Sequence, residues 1–172
     1  MTGWLWLIPL AGILFYLWSL GARPRYHSHV PYGRLRHYFE IFLDRSRAGA
    51  VMLVEREGIA AVVQLRLTEK RGGHSTVEIG IPEADWSAAA FDGIETGLGK
   101  AGFDTRIQAS GGCKSVRRFL RATVSGTEQQ LAARVSAGFG IVAKALEWEE
   151  DTLVTVHTET GWRWRTRRSL ED

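Results

Sequence analysis

The sequence predicts an α+β fold: one N-terminal transmembrane helix, then an antiparallel sheet with helices packed on one face, in the order αβββαββαβ. Three observations predict it: an uncharged apolar run near the start, period-two alternation in several short segments, and helical stripes in three longer ones. With an anchor set aside, the 172 residues leave one ordinary domain, long enough to bury a core without a disulfide or metal staple. The 45% hydrophobic and 24% charged content belongs to a folding chain rather than a disordered one. Cys113 is the lone cysteine, which fits a reducing compartment.

Residues 1–22 are read as the transmembrane helix. From 3 to 22 no side chain is charged, and twenty residues at about 1.5 Å each match a hydrocarbon core about 30 Å thick. Trp4 and Trp6 lie near one end and Tyr16 and Trp18 near the other, where amphipathic rings prefer the interface. Pro9 and Gly12, poor in a soluble helix, are tolerated in lipid. A cleaved signal peptide is disfavoured because no Lys or Arg precedes Arg23, although Ser19 and Gly21 mimic a cleavage site. A buried core helix rarely carries four such aromatics. Arginines follow the span and none precedes it, so the positive-inside rule places the N-terminus outside and the domain in the cytoplasm, in a bacterial-type inner membrane.

Residues 23–33 form a basic juxtamembrane connector, with Arg23 and Arg25 facing headgroups or simply setting topology. Pro24, Pro31 and Gly33 interrupt any helix there. The domain proper is placed at 34–160. Leu35, Tyr38, Phe39, Phe42 and Leu43 recur at helical spacing and predict a helix over 34–47, ended by Gly49. Residues 51–57 and 59–70 predict two strands joined at Glu57-Gly58, with Val63, Leu65 and Leu67 alternating against Gln64, Arg66 and Thr68. Val77, Ile79 and Ile81 mark a third strand closed by Pro82. A helix is expected over 83–101 on a stripe of Trp86, Ala90, Ile94 and Leu98, weakened by Gly93, Gly97 and Gly99. Residues 103–109 and 116–124 predict a hairpin around Ser110-Gly111-Gly112. Thr127 with Gln130 predicts a capping box opening a helix whose stripe is Leu131, Val135, Phe139, Val142 and Leu146. Residues 152–158 give a final strand.

Over 34–147 this element order resembles the type III secretion chaperone-like fold and its YbjN-like relatives, small α+β domains that bind other proteins. The resemblance implies a protein-binding role. The chain departs from those generally soluble relatives by its apolar N-terminal run, an extra strand and a basic tail. An alternative reading begins at the third strand and gives the ferredoxin-like βαββαβ arrangement.

Searched for chemistry, the sequence offers no catalytic residue, no cofactor site and no metal site. In Gly111-Gly112-Cys113-Lys114-Ser115, cysteine stands where a phosphate loop needs glycine, and a strand follows where it needs a helix. His27, His29 and His37 lack a nearby Cys or carboxylate to complete a metal set. Glu55 and Glu57 fall on one hairpin face towards solvent. The acidic run 147–151 closes a helix C-terminus, where negative charge opposes the dipole, so it reads as a solvated turn or a basic docking point. Cys113 has no identifiable base.

The net charge of +3 is a property of the two ends: residues 39–160 hold 14 basic and 17 acidic side chains, which argues against a nucleic-acid partner. In the tail, 161–172, Trp162 and Trp164 alternate with Arg163, Arg165 and Arg167, followed by Arg168. Such a tail suits a bilayer surface or an interface with a larger protein, and a disordered tail is the alternative. The expected function is that of a non-enzymatic, membrane-anchored accessory or assembly subunit of a larger membrane complex (respiratory, photosynthetic or secretory), its partners the bilayer and that complex. The rivals are a tethered chaperone and an anchored enzyme.

Overall fold

In the computed structural model, residues 25–110 and 115–159 are described. Among them the chain runs β1 (Arg25–Pro31), a 3-10 turn (Tyr32–Arg34), α1 (Leu35–Arg45), β2 (Val51–Arg56), β3 (Ala61–Arg71), β4 (His74–Pro82), α2 (Phe91–Lys100), β5 (Asp104–Ala109), β6 (Arg118–Thr127), α3 (Glu128–Ala145) and β7 (Leu153–Glu159). The seven strands form one sheet in the order β1-β7-β2-β3-β4-β6-β5, and every neighbouring pair is antiparallel.

Alternation sends one set of side chains to the helices. Val63, Leu65 and Leu67 of β3, Val77, Ile79 and Ile81 of β4, and Leu120, Ala122 and Val124 of β6 are buried together with the apolar stripes of the helices. Those stripes are Leu35, Phe39, Phe42 and Leu43 of α1, Phe91, Ile94 and Leu98 of α2, and Leu131, Val135, Phe139 and Val142 of α3. Each large apolar side chain so buried stabilises the fold by roughly 1.5–3 kcal/mol. The ring of Phe139 is the hub: Phe39 lies 5.4 Å away, Trp148 6.2 Å and Tyr32 6.3 Å between centroids. On β3, Lys70 caps the end of α1, its ammonium 3.0 Å from the Asp44 carbonyl. The same ammonium pairs with Glu128 in the first turn of α3 at 2.9 Å, each contact matching a helix dipole.

The expected fold class needs correction. Among the described residues none of the helices is long and apolar enough to cross a membrane, and the first described element is a strand of the antiparallel sheet, not a helix. The expected span, 3–22, lies outside the described residues, and the single-pass membrane architecture and inner-membrane placement are withdrawn. The stretch expected to be a connector, 23–33, supplies β1, which pairs with β7. The ferredoxin-like arrangement also fails, because β7 lies between β1 and β2 and not beside β4.

Two helices start differently from expectation. Residues 83–90 are not helical, 85–90 making turns, since the Ser87 hydroxyl donates to the Pro82 carbonyl at 2.6 Å and accepts from the Ala84 amide at 3.0 Å. Such local bonds offer the backbone an alternative to the helix ladder. The capping box does not form either: Thr127 is the N-cap of α3 but makes no side-chain cap bond.

Candidate functional site

Because the three described α-helices pack against one set of strand side chains, the alternate set shares a face that no described helix covers. Strand register defines a row across it: Tyr26, His157, Leu53, Gln64, Gly80, Arg121 and Arg106, one residue from each strand. A second row runs Glu159, Val51, Arg66, Glu78, Thr123 and Asp104.

Charges of both signs share this face. Arg121 stands directly opposite Arg106, and Arg66 opposite Glu78. Like charges across a pair of strands are unfavourable, and here each arginine has a carboxylate close by. Arg121 Nη1 lies 2.9 Å from Glu78 Oε1 with both side chains mostly buried, and Arg106 Nη2 lies 3.1 Å from Asp104 Oδ2 in solvent. Glu78, Asp104, Arg106, Gln108, Arg121 and Thr123 line a concavity of about 530 Å³ at the β5 end.

A second concavity, of about 510 Å³, lies at the β1 end, lined by Tyr26, Ser28, His29, Glu55, Glu57 and Thr155 among others. A bulge in β1 between His27 and Val30 sets it up, and puts His29 at φ 57°, a left-handed conformation uncommon for a side-chain-bearing residue. The amide of His29 donates to Glu57 Oε1 at 2.6 Å, and the Thr155 hydroxyl donates to the same oxygen at 3.3 Å. His29 Nε2 is 3.6 Å from the other carboxylate oxygen. The hydroxyl donates to a carboxylate, not to a histidine, so this is a clasp joining β1 to the β2–β3 hairpin and not a nucleophile–base pair. Glu57, expected in solvent beside Glu55, is therefore engaged in structure.

The remaining expectations fall as follows. Trp4, Trp6, Tyr16, Trp18 and Arg23 lie outside the described residues, as do Trp162, Arg163, Trp164, Arg165, Arg167, Arg168 and Cys113. Arg25 opens β1 opposite Thr158. Among the described residues no three His, Cys, Asp or Glu side chains gather as a metal set. His27 and His37 instead flank the Tyr38 ring at 5.2 and 5.9 Å. The acidic run 147–151 folds around the buried Trp148 and tethers the 3-10 turn, the Gly33 amide donating to the Glu150 carbonyl at 3.0 Å.

One ion pair had no sequence signal. Glu83, 7% exposed, accepts two bonds from Arg118, at 2.7 and 3.2 Å. The Arg118 guanidinium also lies 5.0 Å from the Phe91 ring centroid and 3.4 Å from Asp92. Hydrogen bonding to Arg118 holds the Glu83 carboxyl below its ordinary range, against the opposing effect of desolvation. It lashes the ends of β4 and β6 to the start of α2.

Fold and site together define a single-sheet α+β domain with one face sealed by helices and the other rich in polar side chains and covered by no described helix. Compared with protein-family models, with curated proteins and with solved structures, the chain finds no match.

Proposed function

We propose that the chain is a non-catalytic accessory or assembly domain that binds another protein across the helix-free face of its sheet. The observation that carries this reading is the row from Tyr26 to Arg106, which spans all seven strands. The face it crosses combines a 67% exposed aromatic with the exposed Arg66 of the neighbouring row and the prearranged Arg121–Glu78 pair that links the two rows. Aromatic and arginine side chains are the commonest anchors of protein interfaces. An ion pair already held in the free protein costs little further ordering on binding.

The test is co-purification of a tagged full-length chain under mild conditions. The wild-type chain is expected to carry a stoichiometric second protein. Tyr26→Ala with Arg66→Gln is expected to lose it, and Lys144→Gln, on the exposed end of α3, to keep it. A chain that purifies with no other protein, or whose partner survives Tyr26→Ala with Arg66→Gln, overturns the reading.

A further inference from the structure

The sheet has two edges, β1 and β5, and they differ. β1 is blunted by its bulge, by His29 in the left-handed region and by Pro31, devices that discourage strand addition. β5 has none of them: it pairs with β6 in unbroken register from Asp104 to Ala109 and is exposed at five of its six positions.

Which backbone groups it leaves unpaired follows from the ladder. The Ser110 amide donates to the Arg117 carbonyl, and on the other side of β6 the Glu83 amide donates to the Arg118 carbonyl. In an antiparallel ladder the bonded residues alternate. Gln108, Arg106 and Asp104 therefore direct their backbone groups to β6, while Thr105, Ile107 and Ala109 direct theirs outward. No described residue takes them. Beyond the strand the edge closes off, because the Phe103 amide donates to Leu98 and the Gly102 carbonyl accepts from Arg134.

We infer that β5 is a self-association edge: a second copy of this chain adds its own β5 antiparallel, with the two-fold axis at Ile107. In that register Ile107 faces Ile107 of the second copy, and Thr105 faces Ala109 of the second copy. All three outward residues of each strand are then satisfied, by about six backbone hydrogen bonds. An axis at Thr105 would set Ile107 against the occupied Phe103 amide, and an axis at Arg106 would oppose two arginines. The Ile107 register sets Arg106 against Gln108 and Asp104 against Ser110, with no like charges directly opposed. It also covers Ile107, one of four large apolar side chains left exposed among the described residues, at 38%. The two sheets become one, and their helix-free faces run on from copy to copy.

The inference is independent of partner binding, since Tyr26 and Arg66 lie away from β5. Sedimentation of the full chain is expected to give a dimer, and Ile107→Lys, at a half-exposed site, to give a folded monomer by circular dichroism. In a Cys113→Ser background, single cysteines at 105 to 109 treated with a short bis-maleimide are expected to cross-link best at 107. Mixing Thr105→Cys with Ala109→Cys chains is expected to give a hetero-cross-link that neither gives alone. A monomeric wild-type chain overturns the inference, as does a dimer that survives Ile107→Lys or cross-links best elsewhere. Loss of partner capture by Tyr26→Ala with Arg66→Gln is expected to leave the dimer intact.

Discussion

Single residues in this domain are decided by what lies within a few ångströms, and the glycines make the point. Gly93 and Gly138 both sit inside helices, where glycine costs about 1 kcal/mol relative to alanine. A Cβ on Gly93 meets nothing within 4 Å, whereas one on Gly138 would come within 2.5 Å of Phe103 Cζ and 3.2 Å of Ile79 Cδ1. Gly93→Ala is therefore expected to stabilise by about 1 kcal/mol, and Gly138→Ala to destabilise by roughly 1–3 kcal/mol through overpacking. Urea unfolding of the two variants checks the opposite signs. Glu83 is decided by its partner Arg118. A carboxylate whose pKa is lower folded than unfolded contributes stability above its unfolded pKa and loses it as pH falls through the folded one. Stability of the wild-type chain should thus fall from about pH 4.5 downward more steeply than that of Glu83→Gln. Melting curves through the acid range measure it, and parallel profiles would refute the assignment. Tyr32 has the opposite sign: burial, then the charge of Glu150, raises its phenol pKa. Its contribution is complete below the ordinary phenol value and lost as pH rises towards the folded one.

At the scale of elements, what the sequence discloses depends on whether an element has a repeating buried side. Val63, Leu65 and Leu67, or Val77, Ile79 and Ile81, alternate cleanly and disclose β3 and β4. Leu131, Val135, Phe139 and Val142 disclose α3 in the same way. β1 carries no such pattern, since of residues 26–31 only Val30 is buried. The strand exists because β7 offers it a partner and because a carboxylate from another hairpin accepts its bulged amide. Neither is local, so the stretch reads as a connector. The turns before α2 are hidden for a related reason: Trp86 and Ala90 keep helical spacing while Ser87 draws the backbone into its own bonds. The helix-free face was legible only as half of an alternation, and the Glu83–Arg118 pair spans 35 residues that no motif links. Removal of the bulge acceptor tests the account of β1. Glu57→Ala should cost about 0.5–1.5 kcal/mol, the worth of a typical hydrogen bond, and should speed amide exchange in β1 ahead of β3 and β4. Uniform exchange across the sheet would mean that the clasp does not hold the strand.

For the whole molecule, the two faces of the sheet carry different burdens. Stability is concentrated on the helix side, where Phe139 joins α1, the 3-10 turn and the Trp148 turn around one ring that is 1% exposed. Truncation there leaves a cavity in contact with several elements at once, so Phe139→Ala should cost about 3–5 kcal/mol, a large share of what a domain this size possesses. The other face is paired across strands and lies against no described helix. Arg66→Gln there removes an exposed charge opposite Glu78 and should change stability by no more than about 0.5 kcal/mol. Chemical denaturation of both variants, followed by circular dichroism, separates the two faces. The Phe139→Ala transition should move far to lower denaturant as a single cooperative step, with Arg66→Gln superimposed on wild type. If Arg66→Gln unfolded as readily as Phe139→Ala, the helix-free face would itself be a sealed part of the core. A face sealed in that way has no room for a partner, and the proposed binding surface would have to be given up.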